Sequence, residues 1–317
     1  MRRQVDLMVL YCKGIPVYNT ETEQVFSPWL LPGLMQNQPN IEAFEKWFKL
    51  RYSSNTNIIA RKLKGRVFGQ GNRRTINRIT HALSLSDCYW VKEENDPIAF
   101  EQISPYYAPF WTGEGAYEGQ SVPTLYVGGY LTKEWVNAKT LQKYGDNTDL
   151  EYLAIELCER CGIPVNKARR MDGGIAVENI TNPNVMIESA EQSGRLDVDD
   201  YTVEDIEALF GLPGIQMVAV DAIVANGDRH PGNFGWLRDT VTGEYLCMSP
   251  LYDFDHALDS QMVHDFLSSE LENLIRKCNN LDYRNETLRI CETAIQCDLH
   301  PVFSTRAKEI QIRLNNL

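Results

Sequence analysis

Three polar side chains between Asn226 and Asp255 have the types and spacing that phosphoryl transfer requires. Asp228 and Asn233 lie five positions apart in a Gly- and Pro-containing stretch, and Asp253 follows an apolar residue and a tyrosine. One carboxylate can orient an attacking hydroxyl, while an amide oxygen and a second carboxylate hold the Mg²⁺ that bridges the phosphates of ATP. Mg²⁺ prefers oxygen ligands and usually takes one or two carboxylates from the protein. The pattern therefore predicts Asp228 as the catalytic residue and Asn233 and Asp253 as the metal ligands.

A plain surface loop is the alternative for this segment, because Asn-Gly-Asp and His-Pro-Gly-Asn are turn-forming sequences. The neighbouring elements favour the site. Apolar residues from Ile215 to Ile223 repeat with the helical period and predict an amphipathic helix, buried on one side, that leads into the loop. We expect His230 to support the loop by packing and hydrogen bonding. Arg229 either neutralises phosphate or pairs with an acidic residue, and for Asp255 a solvated turn is favoured over a second metal role.

Upstream residues could supply the contacts to ATP. Gly128 and Gly129 stand between apolar strand residues, where backbone N–H groups can approach phosphates, although an ordinary hairpin turn uses the same residues. Lys143 ends a short predicted strand, and Glu151 opens a predicted helix. In protein-kinase-like enzymes a strand lysine contacts the α- and β-phosphates and pairs with a helix glutamate. Two surface charges are the alternative, and the downstream segment favours the ATP contact.

The segment Asp228–Asn233, with Tyr252-Asp253 after it, resembles the D-x-H-x-x-N and Y-D motifs of the HipA-like serine/threonine kinases. It also resembles the motifs of the aminoglycoside phosphotransferases and the phosphatidylinositol kinases, which share the protein-kinase-like fold. Two further segments favour the HipA-like group. Glu151–Val165 is similar to its N-E-Y…L-A…L-G-L helix and turn, and Ile175–Ile180 is similar to its hinge strand.

The resemblance implies an α+β, two-lobed protein-kinase-like fold with an extra N-terminal subdomain over residues 1–120, an ATP-binding core over 121–182 and a helical C-lobe over 183–317. It implies that ATP and Mg²⁺ are the cofactors and that the backbone of Glu178 and Ile180 meets the adenine, with His230 beside the cofactor. The implied reaction transfers a phosphoryl group to a Ser or Thr hydroxyl of a protein. A small-molecule kinase of the phosphotransferase type and a pseudokinase-like binding module remain alternatives.

The whole chain limits its partners. Hydrophobic residues at 43% and charged residues at 23% fit an ordinary globular protein, and the net charge of −12 argues against direct nucleic-acid binding. No helix-turn-helix is evident, so an antitoxin or other regulatory partner would be a separate chain. No apolar run is long enough to span a membrane, and we expect a cytoplasmic protein. Cys158 and Cys161 fit helix-face thiols better than a metal or redox pair.

The first hundred residues predict a hairpin that turns at Lys13-Gly14, a helix over Glu42–Leu50 and a strand over Asp87–Val91. Between Glu45 and Asp87 there is no acidic residue. The ten basic residues in this interval predict an electropositive patch, for which a solvated helical face is the favoured account. They are Lys46, Lys49, Arg51, Arg61, Lys62, Lys64, Arg66, Arg73, Arg74 and Arg78.

Overall fold

The structure is a computed structural model that describes residues 7–51, 77–78, 80–110, 131–196, 201–258 and 266–317. Its contacts divide the chain into two compact units, and each unit takes up separate stretches of sequence. The first comprises residues 1–143, 178–195 and 236–247, and the second comprises 144–177, 196–235 and 248–317. The predicted boundaries after residues 120 and 182 stay a prediction.

The described residues form runs of strands and runs of helices, the pattern of an α+β chain, and the last three elements are helices. In chain order the elements are β1 (Val9–Cys12), β2 (Ile15–Asn19), a 3₁₀ turn (Pro28–Leu30), α1 (Gly33–Gln36), α2 (Ile41–Leu50), β3 (Tyr89–Lys92), α3 (Phe100–Ile103), β4 (Thr132–Asn137), β5 (Thr140–Tyr144), α4 (Thr148–Arg160), β6 (Ala168–Met171), β7 (Gly174–Glu178), β8 (Val185–Ser189), α5 (Ala190–Ser193), α6 (Val203–Phe210), α7 (Leu212–Val224), β9 (Gly235–Asp239), β10 (Tyr245–Met248), α8 (Phe266–Lys277), α9 (Leu281–Cys297) and α10 (Pro301–Asn315).

In the first unit, helix α2 packs its aromatic face onto a small antiparallel sheet of order β2-β1-β3. Asn40 caps the helix, because its side chain accepts a hydrogen bond from the N–H of Ala43. Phe44 then lies about one helical turn before Trp47 and Phe48, and all three are buried. The predicted hairpin, helix and following strand are therefore confirmed in this part of the chain. A second sheet of the unit has the order β10-β9-β8, and β4 neighbours β5.

A buried ion pair joins this second sheet to the segments around it. The guanidinium of Arg238 lies 3.2 Å from Glu188 Oε2 and donates to the carbonyl oxygens of Trp29, Leu31 and Gly243. Burial raises the pKa of Glu188, and the charge of Arg238 opposes that rise. Because both ions are buried with hydrogen-bond partners, removal of either would leave an uncompensated charge in the interior.

The described part of the basic segment does not form a continuous charged surface. Arg51 is buried and pairs with Asp87, so its assignment to the patch is wrong. Arg78 pairs with Glu93, and Lys46 lies 3.6 Å from Glu42. The six basic residues from Arg61 to Arg74 lie outside the described residues.

In the second unit, helix α7 is the centre of the packing. Helices α4, α6, α8, α9 and α10 all contact it. Every residue from Met217 to Val224 is buried, so the expectation of burial on one side is wrong. The period of the sequence predicted the helix, but the number of helices around it depends on distant parts of the chain. Strand β6 pairs with β7 in an antiparallel hairpin, with Ala168 opposite Val177.

The helix-face prediction for two cysteines of the second unit is confirmed. Cys158 lies on α4, Cys161 follows its last turn, and both thiols are free and buried, as the helix-face interpretation expects.

Within the described ranges, no helix is both long enough and apolar enough to cross a bilayer.

Gly243, in the turn between β9 and β10, provides a test of the first unit. Its φ is +71°, and an added Cβ would lie 1.8 Å from the carbonyl oxygen of Trp29. Gly194 has a similar φ of +62° but no atom closer than 3.8 Å to such a Cβ. We expect Gly194→Ala to lower the free energy of unfolding by about 1–2 kcal/mol, the cost of the left-handed backbone. Gly243→Ala should cost clearly more, because the backbone of Trp29 must also move.

Urea denaturation of the wild type and both variants measures the difference. Equal losses for Gly243→Ala and Gly194→Ala would contradict the close approach of Trp29.

Candidate functional site

The end of helix α7 fixes where the candidate loop begins. Ala225 has a left-handed backbone with φ +54°, and its N–H donates to the carbonyl oxygen of Asp221. The N–H of Asn226 also donates to that oxygen, at 3.0 Å. Leu258, just beyond the predicted metal segment, donates its N–H to the carbonyl of Val224 at 3.1 Å. The candidate catalytic segment therefore starts at the last turn of this buried helix, and the predicted metal segment ends against the same turn.

Arg229 connects the two segments. Its Nε and Nη2 donate to the two carboxylate oxygens of Asp221 at 2.9 and 3.0 Å. Its Nη1 donates to the carbonyl oxygens of Asn233 at 2.9 Å and Tyr252 at 2.6 Å. Both partners of the ion pair are buried, with side-chain exposures of 4% and 10%. Arg229 therefore pairs with an acidic residue, which settles the alternative left open by the sequence, and it holds the loop beside the segment that carries Asp253.

Hydrogen bonds inside the loop set the position of Asn233. Its Nδ2 donates to the carbonyl oxygen of Asp228 at 3.1 Å, and its backbone N–H donates to that of His230 at 2.8 Å. The Nδ1 of His230 accepts from the N–H of Gly232 at 3.0 Å, so His230 supports the loop as expected. Tyr252 donates its hydroxyl to the carbonyl of Gly232 at 3.0 Å. With the amide nitrogen used inside the loop, Oδ1 is the atom of Asn233 that can ligate a metal.

Asp253 has an unusual backbone. Its φ is +60°, in the left-handed region that few residues other than glycine adopt. The buried Phe254 ring follows it, 4.6 Å from the guanidinium of Arg229. Such strained positions concentrate at active sites, where the surrounding structure imposes them. The conformation of Asp253 is imposed here by the carbonyl that Arg229 holds on one side and by the buried ring on the other.

Asp228 lies in a cluster of titratable groups. Its Oδ2 is 3.6 Å from Nε2 of His256, and Oδ1 of Asp255 is 4.0 Å from the same nitrogen. Burial raises the pKa of Asp228; the nearby His230 and His256 lower it, and the carboxylates of Asp255 and Asp253 raise it further. The net effect is a raised pKa.

Asp255 differs from the expectation. The sequence favoured a solvated turn, but its side chain is only 2% exposed. Asn147, at the start of α4, donates its side-chain amide to the backbone carbonyl of Asp255 at 3.3 Å. The interpretation of Asp255 as a solvated turn residue is therefore wrong, because the chain folds back against the end of α7 immediately after it.

The predicted ATP contacts lie in both units. Lys143 lies on β5 in the first unit and Glu151 in the first turn of α4 in the second, and both are buried. The surface-charge alternative is therefore wrong for both. Helix α4 begins at Thr148, three residues before Glu151. The pairing of Lys143 with Glu151 stays a prediction.

The hinge and the phosphate loop also stay predictions. Strand β7 ends at Glu178, whose side chain is exposed. Ile180 follows the strand and is half-buried, while the N–H of Asn179 between them donates to the carbonyl of Lys139 at 2.8 Å. Gly128 and Gly129 lie outside the described residues.

Sequence reasoning missed Asp221, Asn147 and His256. A signal for Asp221 was present, because it is the single charged residue within the apolar run Val-Ala-Val-Asp-Ala-Ile-Val of α7. A charge in that position needs a buried partner. Asn147 had no such signal, since its contact to Asp255 spans 108 positions of sequence.

Comparisons with known proteins identify the fold. No protein-family model and no curated protein match the sequence. The structure of the Shewanella oneidensis MR-1 toxin–antitoxin complex of HipA, HipB and operator DNA contains a match with a TM-score of 0.60, at 11% identity, over 98% of this chain and 97% of that chain. The Helicobacter pylori proinflammatory kinase CtkA is matched with a TM-score of 0.37, at 13% identity, over 59% of this chain and 89% of that chain.

The first match shows that the chain has a HipA-like, protein-kinase-like fold. The α+β, two-lobed fold predicted from the sequence is therefore confirmed. At 11% identity this likeness concerns the fold alone.

The raised pKa of Asp228 predicts how the variant Asp228→Asn responds to pH. A carboxyl whose pKa is higher in the folded than in the unfolded chain contributes stability below the unfolded pKa, and that contribution is lost as the pH rises through the folded pKa. In EDTA, Asp228→Asn should therefore raise the free energy of unfolding at about pH 7, and the gain should vanish well below the unfolded pKa of about 3.9.

Urea denaturation at both pH values measures the gain. Asp172→Asn, in the exposed turn between β6 and β7, is the matched control and should change little. A stability at neutral pH equal to that of the wild type would contradict the raised pKa of Asp228.

Arg229→Met tests the link between the segments. It should lower the free energy of unfolding by about 3–5 kcal/mol, because it leaves Asp221 buried without its charge partner. Arg313→Met removes an exposed pair with Glu272 and should cost no more than about 1 kcal/mol. The double replacement of Arg229 by Met and Asp221 by Leu should recover much of the loss. Equal losses for Arg229→Met and Arg313→Met would contradict a structural role for the buried pair.

Proposed function

We propose that the chain is an ATP- and Mg²⁺-dependent kinase that transfers a phosphoryl group to a Ser or Thr hydroxyl of a protein. One observation carries the proposal: Arg229 holds the loop of Asp228 and Asn233 beside Asp253 by hydrogen bonds to both segments. Three residues predicted from type and spacing alone are thus gathered at the end of one helix. The HipA-like fold supports the same reaction class.

Asp228 is the residue that orients the acceptor hydroxyl. Phosphoryl transfer passes through a loose transition state, so positioning contributes more than strong basicity. The carboxylate is partly exposed, with 30% of its side chain accessible, so a hydroxyl can reach it. Its backbone carbonyl is held by Asn233 and by the N–H of His230, which restricts the direction of the side chain.

Asn233 and Asp253 fit Mg²⁺. Their donors are an amide oxygen and a carboxylate, both hard ligands of the kind Mg²⁺ prefers. When bound, Mg²⁺ would neutralise negative charge on the phosphates of ATP. The chain's own part is to keep the two ligands at a fixed separation, which the hydrogen bonds of Arg229 to the carbonyls of Asn233 and Tyr252 achieve.

The contacts to ATP and to partners complete the proposal. The roles that the resemblance gives to Lys143, Glu151, Glu178 and Ile180 in binding ATP belong to the same proposal. The HipA match was solved with HipB and operator DNA. We include in the proposal a separate regulatory chain, and the net charge of −12 assigns any nucleic-acid contact to that partner.

Incubation of the purified chain with γ-labelled ATP, Mg²⁺ and a cell lysate tests the reaction. Labelled phosphoserine or phosphothreonine should appear with the wild type, and Asp228→Asn should reduce the rate by about 10²–10⁴-fold, the usual contribution of a positioned acid–base group. Asp172→Asn should match the wild type. Label that appears in a small molecule and in no protein would favour a small-molecule kinase instead of a protein kinase. Equal labelling by Asp228→Asn and the wild type would contradict the proposal.

Asp253→Asn should change the metal dependence of the rate. Loss of one of two protein ligands should raise the Mg²⁺ concentration for half-maximal rate by at least about tenfold, as even outer-shell changes at metal sites do. The measurement is a Mg²⁺ titration at fixed ATP for this variant, the wild type and Asp172→Asn. An unchanged midpoint would remove Asp253 from the metal site.

A further inference from the structure

A cluster beside the proposed Mg²⁺ ligands has an arrangement that the kinase reaction does not require. Asp228, Asp255 and His256 each direct one ligand atom into a region where all three atoms lie within 4.8 Å of one another. Asp255 and His256 have side-chain exposures of 2% and 13%, whereas Asp228 is 30% exposed. The cluster is thus closed on the side of Asp255 and reachable on the side of Asp228.

The separations suit an ion between the groups. His256 Nε2 lies 3.6 Å from Asp228 Oδ2 and 4.0 Å from Asp255 Oδ1, which is longer than a hydrogen bond of roughly 2.7–3.2 Å. Ligands placed about 2.0–2.2 Å from a common ion lie about 3–3.6 Å apart. Shortening the largest separation, at most 4.8 Å, by about 1.2 Å would bring the three atoms to such an ion.

The position of the cluster also restricts its side chains. Asn147 holds the backbone carbonyl of Asp255, and a backbone bridge joins Asn226 to Ala257, the residue after His256. Asn226 Nδ2 donates to Asp221 at 3.0 Å, and its buried Oδ1 has no hydrogen-bond partner among the described residues.

The donor types select the class of ion. Imidazole is a common ligand of Zn²⁺, Fe²⁺ and other first-row transition ions, whereas Mg²⁺ and Ca²⁺ are bound mainly by oxygen. Two carboxylates match the charge of a dication. We infer that Asp228, Asp255 and His256 form a site for a divalent transition-metal ion with Zn²⁺-like preferences, separate from the Mg²⁺ of Asn233 and Asp253.

Occupation of this site would regulate the enzyme. The ion takes the carboxylate oxygen that Asp228 needs to orient an acceptor hydroxyl, so the metal-bound chain is inhibited. This consequence rests on the proposed function, whereas binding of the ion does not. Mg²⁺ at ordinary assay concentrations does not displace the ion, because it lacks the preference for imidazole.

Metal binding is tested on the full chain without nucleotide. Titration of the metal-free protein with Co²⁺ should show one bound ion per chain in the visible absorption, without the charge-transfer band of a cysteine thiolate ligand, and Zn²⁺ should displace it. His256→Gln should weaken Co²⁺ binding by at least about tenfold. His300→Asn removes an imidazole that caps α10, keeps a good capping residue, and should bind Co²⁺ as the wild type does.

A second measurement uses the wild type and does not depend on whether His256→Gln folds. Anomalous diffraction from a wild-type crystal soaked in Zn²⁺ should place a peak about 2.1 Å from His256 Nε2. A peak at cysteines only, or Co²⁺ binding that His256→Gln leaves unchanged, would overturn the site.

Inhibition is measured separately. Zn²⁺ added to the Mg²⁺-supported reaction should inhibit the wild type at concentrations that fill the site. The variant His256→Gln should need a higher Zn²⁺ concentration for the same fractional inhibition, measured against its own rate without Zn²⁺. Zn²⁺ bound at His256 without inhibition would overturn the regulatory part. A chain that binds Co²⁺ but transfers no phosphate would contradict the proposed function and leave the metal site standing.

Discussion

The buried ion pair between Arg229 and Asp221 is the interaction on which the candidate site depends. Asp221 lies inside helix α7, which other helices surround, and a buried carboxylate requires a charged partner. Arg229 satisfies it with two hydrogen bonds and has a third group, Nη1, left to hold two carbonyls from separate segments. The side chain of Arg229 thus neutralises the buried carboxylate of Asp221 and also fixes the geometry of the site.

Because Arg229 connects both segments to the core, the site can keep two energetically unfavourable features. Asp253 keeps a left-handed backbone, and Asp228 keeps a carboxylate whose pKa is raised by burial and by the nearby carboxylates of Asp255 and Asp253. Each feature costs free energy that packing around α7 must offset. A loop that contacted only solvent would lose both the left-handed backbone of Asp253 and the unfavourable position of the Asp228 carboxylate. The arrangement explains why a segment of turn-forming residues is well defined here.

The sequence predicted the parts whose signals are local. The spacing of Asp228 and Asn233 and the period of α7 were enough to place the loop at the end of a helix. The fold was implied by the resemblance of these motifs to those of the HipA-like kinases. Residues whose environment depends on distant segments were misjudged: Asp255 was expected in a solvated turn and is buried, and α7 was expected to be buried on one side. Asp221 could have been found from its isolation in an apolar run. Asn147 could not, because only the folded chain brings it to Asp255.

The most direct test of the proposed site is a crystal structure of the chain with Mg²⁺ and a non-hydrolysable ATP analogue. We expect Mg²⁺ at about 2.0–2.1 Å from Asn233 Oδ1 and from a carboxylate oxygen of Asp253, with the γ-phosphate facing Asp228. Nucleotide bound away from this loop, or Mg²⁺ held without Asn233 and Asp253, would contradict it.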